Sequence, residues 1–468
     1  MAQDSARREA ILARLETEKV RFVNLEFTDV VGMAKCVTIP VEQFPDCLEH
    51  GKWFDGSALE GFARVAESDM YLLPDLSTFA VLPVGVRPPT QMQGQRGRFD
   101  GGEQETAQDV VARVICHVRT PGGEPFDDDP RATLIRALEV GQSLGYDFLV
   151  APELEFFLLQ LDGKTPAPLP HDSGGYFDLS TDLAAAVRRQ MVTALQSMDI
   201  QIDASHHEVA AGQHEIDFVM RDALCVADAL MTAKYVLKGI AAQHSLYATF
   251  LPKPFFGVNG SGMHTHQQLI HRATRQNAFV DEHGEFGLSD TGRYFIAGQL
   301  AHASAMCAIL SPLVNSYKRL VSGYEAPVFI NWGRVNREAL IRVPRPGEDR
   351  HATARIELRS CDPSCNPYLA LAVMLRAGLD GITRKLPLPP AMDESLFLRD
   401  EGERQRHPSR LLPATLGEAL EAMREDNLIR DILGDSLYEG FIEAKTIEWT
   451  EYRKQVHAWE LERYLPVF

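Results

Sequence analysis

Carboxylates recur in this chain where apolar runs would otherwise be unbroken. In VAPELEFFLL, Glu153 and Glu155 stand two apart amid strongly apolar neighbours, and the period of two in a strand points both to one face. Burying two ionised carboxylates together is costly unless that face opens on water or a cation sits between them. HHEVAAGQHE places Glu208 and Glu215 on either side of a glycine turn, and RIELR holds Glu357 between Arg355 and Arg359. In NGSGMHTH, His264 and His266 share a strand face behind a glycine-rich approach where backbone can come close to a ligand. Taken alone, each feature is better read as a solvated strand face or a structural histidine. Together, a set of glutamates with histidine and no cysteine favours Mg²⁺ or Mn²⁺ over structural zinc, and such ions mostly serve phosphate chemistry.

The arginines supply the anion-binding half. The chain carries 47 basic and 65 acidic residues, net −18, yet between Asn315 and Arg359 nine basic residues meet five acidic ones. Arg319, Arg337, Arg342 and Arg359 fall near strands and turns, and guanidinium forks match carboxylate and phosphate oxygens bidentately. Neither a GxxxxGK[ST] loop nor a strand-linked GxGxxG fingerprint occurs, so nucleotide binding here must rely on metals and arginines. The acidic balance opposes non-specific attraction to nucleic acid or an anionic membrane.

Positioning these residues takes more than one core, since 468 residues exceed what a single hydrophobic core usually organises. Apolar residues make up 45% and charged residues 24%, the balance of a chain folded throughout. Up to about residue 84, short strand-like runs (VRFVNLEFTDVVG, FAVLPV) alternate with the helix-like VEQFPDCLEHG, which suits a small α+β domain. Residues 86–108, rich in Gly, Gln and Pro, read as a linker. The division is therefore expected as 1–108 for the amino-terminal domain with its linker and 109–468 for a catalytic domain. In the latter, the strand candidates YDFLVAPELEFFLLQL, IDASHHEVAAGQHEIDFVM, FGVNGSGMHTHQQL, APVFINW and ARIELRS alternate with amphipathic helix candidates, and the C-terminal part reads mostly as helix. The start MAQDSARREAILARLETEK shows no secretory signal, and every apolar run falls short of about 18 residues, so a cytoplasmic location is expected. The seven scattered cysteines, including Cys361 and Cys365 in SCDPSCNPY, are expected to be free thiols.

At this point the sequence resembles type I glutamine synthetase over nearly its whole length. FDGSALEGFARVAESDMYLLPD, PELEFF, GGYFDLSTDL, ASHHEVAAGQHEIDF, GVNGSGMHTH, NSYKRLVSGYEAP and RIELRSCDPSCNPYLALAVMLRAGLDGI all occur in that family's order. The resemblance implies an α+β fold in which a small β-grasp domain precedes a large catalytic domain. It also implies a homo-oligomer, a dodecamer of two six-membered rings with active sites shared between neighbours. The implied activity is ATP-dependent amidation of the γ-carboxylate of L-glutamate with ammonia through γ-glutamyl phosphate, with two or more Mg²⁺ or Mn²⁺ ions per site.

By motif position, Glu155, Glu208 and Glu215 match the ligands of one metal and Glu153, His264 and Glu357 those of the nucleotide-side metal. Arg319 resembles the residue gripping the glutamate α-carboxylate, with Asn259, Gly260 and Arg359 in the same pocket. Arg337 and Arg342 resemble residues that neutralise the phosphoryl group and the ATP phosphates, with His266 and Arg355 on the ATP side. Glu325 matches the flap residue that takes a proton from the incoming amine. Asp55 matches the neighbour-supplied carboxylate for ammonium, with Tyr176 beside it, and Arg64 matches an arginine linked to feedback inhibition by glutamine.

Departures from the commonest pattern are Ala58 in place of a second serine, Gln268 in place of a serine, Gly333 and Arg334 in NWGRVNR, and the long 86–108 segment. Phe397 stands where many relatives carry a tyrosine open to nucleotide attachment. The alternatives left open are a γ-glutamyl ligase for an organic amine or polyamine, a catalytically silent relative and, weakest, a guanidino kinase.

Overall fold

A computed structural model of the chain describes residues 2–56, 69–83, 109–162, 165–168, 172–349, 353–393 and 410–468. Ala58, Arg64, Phe397 and the whole of the expected linker 86–108 lie outside the described residues.

The amino-terminal sheet comprises β1 (Val20–Thr28), β2 (Ala34–Pro40), β3 (Lys52–Asp55), β4 (Asp69–Pro74), β5 (Ala80–Val81) and β6 (Val110–Arg119), in the order β2-β1-β6-β4-β3 with β5 also on β6. Only the central β1–β6 pair is parallel. One face packs against α1 (Ala2–Thr17) and α2 (Phe44–His50) in a core built on Val23, Leu25, Phe44, Leu72 and Val114. The helix α1 was not foreseen from its charge-rich sequence; among its described side chains it buries Ile11 and Leu15. A division at 108/109 would separate β6, the central strand, from its sheet, so we propose that the boundary lies between Arg119 and Pro130.

The larger sheet runs β14-β15-β16-β13-β7-β10-β9, with β8, β11 and β12 also pairing with β7. Its strands are β7 (Tyr146–Asp162), β8 (Thr165–Pro168), β9 (Ile202–His207), β10 (Gln213–Phe218), β11 (Arg221–Asp222), β12 (Tyr247–Thr249), β13 (Met263–His271), β14 (Phe329–Gly333), β15 (Ala339–Arg342) and β16 (Ile356–Leu358). Alternation along β7 gives the sheet two chemical faces. Phe148, Val150, Leu154, Phe156 and Leu158 join the main core with α4 (Ala185–Gln196) and α5 (Ala223–Gln243). Glu153 and Glu155 take the opposite face. A fully buried side chain such as Leu154 contributes about 1.5–3 kcal/mol of transfer free energy, so the helical side holds the register that fixes the carboxylate side.

Behind the sheet lie α3 (Pro130–Ser143), α6 (Asp290–Ala301), α7 (Ala303–Leu310), the short α8 (Ser316–Arg319) and α9 (Pro367–Arg384). They are followed by α10 (Leu416–Glu425), α11 (Asn427–Leu433), α12 (Asp435–Tyr452) and α13 (Ala458–Tyr464), the helical C-terminal part that was expected. Asn366 caps α9 by accepting from the Tyr368 and Leu369 amides, and its Nδ2 donates to the Asp29 and Val30 carbonyls, tying the two parts of the chain together. All seven cysteines are free, with Cys361 Sγ and Cys365 Sγ 3.6 Å apart. Among the described residues no helix is long and apolar enough to cross a membrane.

His302, between α6 and α7, bridges Asp380 of α9 (Nε2, 3.1 Å) and Asp426 at the start of α11 (Nδ1, 2.6 Å). Burial opposes its charge, but hydrogen bonds to the two carboxylates outweigh that and raise its pKa. The raised folded pKa makes this stabilisation fully present below the unfolded value of about 6.5 and lost as pH rises through the folded one. Thermal melts of wild type and His302→Gln are therefore expected to differ most at mildly acidic pH and to converge at alkaline pH; a constant gap would remove the ion pairs from the explanation.

Candidate functional site

On the polar face of the large sheet, a cavity of about 350 Å³ is lined by Glu153, Glu155, Glu208, Glu215, Asp217, Glu325 and Glu357 together with Arg319, Arg337, Arg342 and Arg359. Seven carboxyl groups meet four guanidiniums there, an excess of acidic groups that divalent cations would offset.

Strand register assembles the cluster. Glu153 of β7 faces His264 of β13 on one side and Asp217 of β10 on the other, while Glu155 faces Glu215. Glu357 of β16 faces His266. One group of potential ligand atoms, all mutually within 4.8 Å, comes from Glu153, His264 and Glu357. His264 Nδ1 lies 3.1 Å from Glu153 Oε2 and 3.8 Å from Glu357 Oε1. Burial and the neighbouring Arg359 push the His264 pKa down to about 4, so its imidazole is neutral and has a lone pair free at neutral pH. Burial works against ionised Glu153, but hydrogen bonds from His264 and His266 hold its pKa well below the usual carboxylate range.

The second group joins His206, Glu208 and Glu215. His206 Nε2 is 3.0 Å from Glu215 Oε1. Glu155, expected in this set, instead fixes one oxygen through the Gln213 side chain (2.9 Å) and the Gly262 amide (3.0 Å), with its other oxygen 3.8 Å from His264 Nε2. It stands between the two groups. Burial and then repulsion by Glu208 push Glu155 up to about 8, and burial alone leads in raising Glu208 to about 7 and Asp217 to about 6. Glu215 is raised well above its ordinary value by burial and then by Glu155. These strained acids and a neutral histidine are the donor set that a hard divalent cation relieves, so the residues fit such an ion.

The arginines separate into distinct settings. Arg319 is buried, and its guanidinium donates to the carbonyls of Ser360 (3.1 Å), Cys361 (3.3 Å) and Arg359 (2.9 Å). Gly262 is required beside it, because a Cβ there would come within 2.5 Å of Arg319 Nη2. Gly260 likewise passes so close that a Cβ would collide with the Pro252 carbonyl; Asn259 and Gly260 line the cavity as expected. Arg359 and Arg342 share Glu357, Arg359 in close contact and Arg342 Nη1 at 3.0 Å. Arg337 and Glu325 face each other at 3.8 Å, both at least half exposed, and Glu325 holds a left-handed φ of 56°. A non-glycine residue there stores backbone strain, a feature found where a segment must present one side chain to a site.

The chain matches the glutamine synthetase catalytic-domain family model over residues 127–464 and the glutamine synthetase β-grasp family model over residues 19–93. The chain belongs to the glutamine synthetase family. It is 50% identical to a glutamine synthetase of Thermus thermophilus over 464 residues, 98% of each chain, and 48% identical to one of Staphylococcus aureus over 453 residues, 96% of each. It also superposes on a complex of GmaS with ADP (TM-score 0.84, 29% identity, 97% of this chain and 99% of the other) and on GmaS without ligand (0.82, 28%, with the same coverage). It is accordingly an ATP-dependent ligase of the glutamine synthetase type, with the α+β architecture of a β-grasp domain followed by a catalytic domain.

Not every expected site residue of this glutamine synthetase family member converges on the cavity. His266 and Arg355 sit at its edge: His266 Nε2 is 2.8 Å from Glu153 Oε1, and Arg355 Nε donates to His266 Nδ1 at 3.2 Å. Asp55, exposed at the end of β3, is absent from the cavity lining, whereas Tyr176 lines it and packs edge-on against His206. Two members went unnoticed in the sequence. His206 and Glu208 stand two apart in ASHHEV, the same spacing that flagged Glu153 and Glu155, and Asp217 repeats it after Glu215. Asp172 escaped for a different reason. It accepts from the Gly174 and Gly212 amides and approaches His207 Nε2 at 3.3 Å, joining the Tyr176 loop to the turn that carries Glu208, a link made across 40 residues. Of the departures, Gln268 is buried with Nε2 on the Ala354 carbonyl, Gly333 lies against Met392, and Arg334 covers the Phe286 ring.

Proposed function

We propose that this chain joins ammonia to the γ-carboxylate of L-glutamate at the expense of ATP, through γ-glutamyl phosphate. The observation that carries the reading is the meeting of a carboxylate-histidine cluster with four arginines in one cavity, supported by the 50% identical glutamine synthetase. Mg²⁺ or Mn²⁺ would be held by Glu153, His264 and Glu357 in one place and by Glu208 and Glu215 with His206 or Glu155 in the other. Bound there, such ions neutralise phosphate charge. Arg319, whose carbonyl contacts leave its positive charge without a carboxylate partner among the described residues, holds the α-carboxylate of glutamate, with Arg359 beside it. Arg337 and Arg342 offset the charge of the phosphoryl group in transfer.

The γ-carboxylate oxygen attacks the γ-phosphorus, ADP leaves, and a neutral amine then displaces phosphate from the acyl carbon. Because ammonia is mostly protonated at neutral pH, Glu325 serves to take its proton, and Asp55 supplied by a neighbouring subunit attracts the cation. That role for an exposed Asp55 rests on the proposed dodecamer of two hexameric rings.

A γ-glutamyl ligase for an organic amine is the second reading, favoured by the residue type at Ala58, a methyl side chain where many relatives carry a serine hydroxyl after the FDGS motif. Phosphate release from ATP and glutamate, compared across ammonium, methylamine, ethanolamine and putrescine, decides between them. Ammonium is expected to give the highest kcat/KM, with measurable side activity on the small primary amines. An organic amine preferred by about a hundredfold, ~2.7 kcal/mol, would make the protein a dedicated amine ligase, and no turnover with any would make it a silent relative.

A further inference from the structure

Two arginines are buried where the amino-terminal sheet meets α5, and the chain treats them differently. Arg131, 2% exposed, is gripped by Asp228 (Nε to Oδ1, 2.9 Å; Nη2 to Oδ2, 2.8 Å) and by Asp75 (2.7 Å). Arg113 of β6, 4% exposed, has neither kind of partner: its Nε and Nη1 are buried with no hydrogen bond, and among the described residues no carboxylate lies within ion-pair distance. A guanidinium stays charged at any accessible pH, and a buried unpaired charge is among the costliest features a fold can carry. Glu26, on the neighbouring strand, is the carboxylate whose field Arg113 feels, but burial raises the Glu26 pKa and weakens its claim as a counter-charge.

Arg113 lines a cavity of about 200 Å³ that shares no residue with the catalytic one. Ser77, Thr78 and Gln201 add polar groups, while Met198, Phe218 and Val226 form apolar wall. Asp228 also borders it, but both its oxygens are engaged by Arg131 and one of them by the Tyr368 hydroxyl as well. We infer that this cavity binds a small monocarboxylate, its oxygens on the unpartnered Arg113 and its short apolar chain against Met198, Phe218 and Val226. Of the other charged residues on the wall, the exposed Arg221 is matched by the exposed Asp199, and Asp228 by Arg131, which leaves the one guanidinium of Arg113 to balance a single negative charge rather than a dianion such as phosphate. At roughly 30 Å³ per water-sized group, the space suits a ligand of about six heavy atoms.

The test uses the whole enzyme with saturating L-glutamate, so that the Arg319 pocket is occupied, and titrates butyrate, its neutral isostere butyramide and inorganic phosphate by calorimetry and thermal melting. Butyrate is expected to bind at one site per chain and raise the melting temperature, with butyramide and phosphate silent. Arg113→Gln should weaken butyrate at least tenfold. Ala229→Leu, which fills the cavity from α5 and leaves Arg113 in place, should do the same without relying on the Arg113 variant to fold. Equal binding of butyrate and butyramide, a preference for phosphate, unchanged affinity in both variants, or no binding to the wild type would each overturn the inference.

Discussion

Replacing Glu153 by alanine is expected to lower kcat/KM about a thousandfold or more, ~4 kcal/mol of transition-state stabilisation, while the melting temperature stays near that of the wild type. Glu153 is the residue on which His264 and His266 both converge, at 3.1 and 2.8 Å, and a quarter of its side chain reaches the cavity. Removing it would take away a proposed ion ligand without opening the core, which lies on the other face of β7. Glu155→Gln should separate function from stability more sharply. The amide keeps an acceptor for Gln213 and Gly262, relieves repulsion with Glu208, and is expected to raise the melting temperature of chelator-treated protein while abolishing ligation. Full activity in either variant, or undiminished turnover after thorough chelation, would remove divalent cations from the account.

Arg319→Lys is expected to raise KM for glutamate about a hundredfold, ~2.7 kcal/mol, with KM for ATP changed by less than about threefold. The lysine keeps the charge but loses the planar fork that is held by three backbone carbonyls, and a bidentate carboxylate contact depends on that fork. A parallel rise in both constants would instead mean that the cavity as a whole had loosened.

The period-two spacing made much of this site legible. Glu153 with Glu155, and His264 with His266, fall on one face of their strands as that spacing requires; Leu154 between the glutamates joins the opposite core, and the buried Thr265 stands between the histidines. Which carboxylates meet is a different matter, because partners are set by strand register. Glu215 faces Glu155 across β7 and β10, whereas the contact that closes its group comes from His206 of β9. Nothing local to HHEV specifies that alignment. Asp172 was illegible for the same reason, its distant partners His207 and Gly212 lying 35 and 40 residues away. The strand β15 was missed because EALIR is too short to show a period, and β6 fell beyond the expected domain break because a composition-defined linker separates it in sequence from the sheet it completes.

The most direct test of the central claim follows oxygen from glutamate labelled with ¹⁸O in its γ-carboxylate. Attack of that carboxylate on ATP, followed by displacement of phosphate by the amine, breaks the bond between the acyl carbon and one labelled oxygen. One ¹⁸O is therefore expected in each inorganic phosphate released, with matching formation of the γ-glutamyl amide and dependence on a divalent cation. Phosphate free of label would mean that ATP is hydrolysed without activating the carboxylate, and would contradict the assignment.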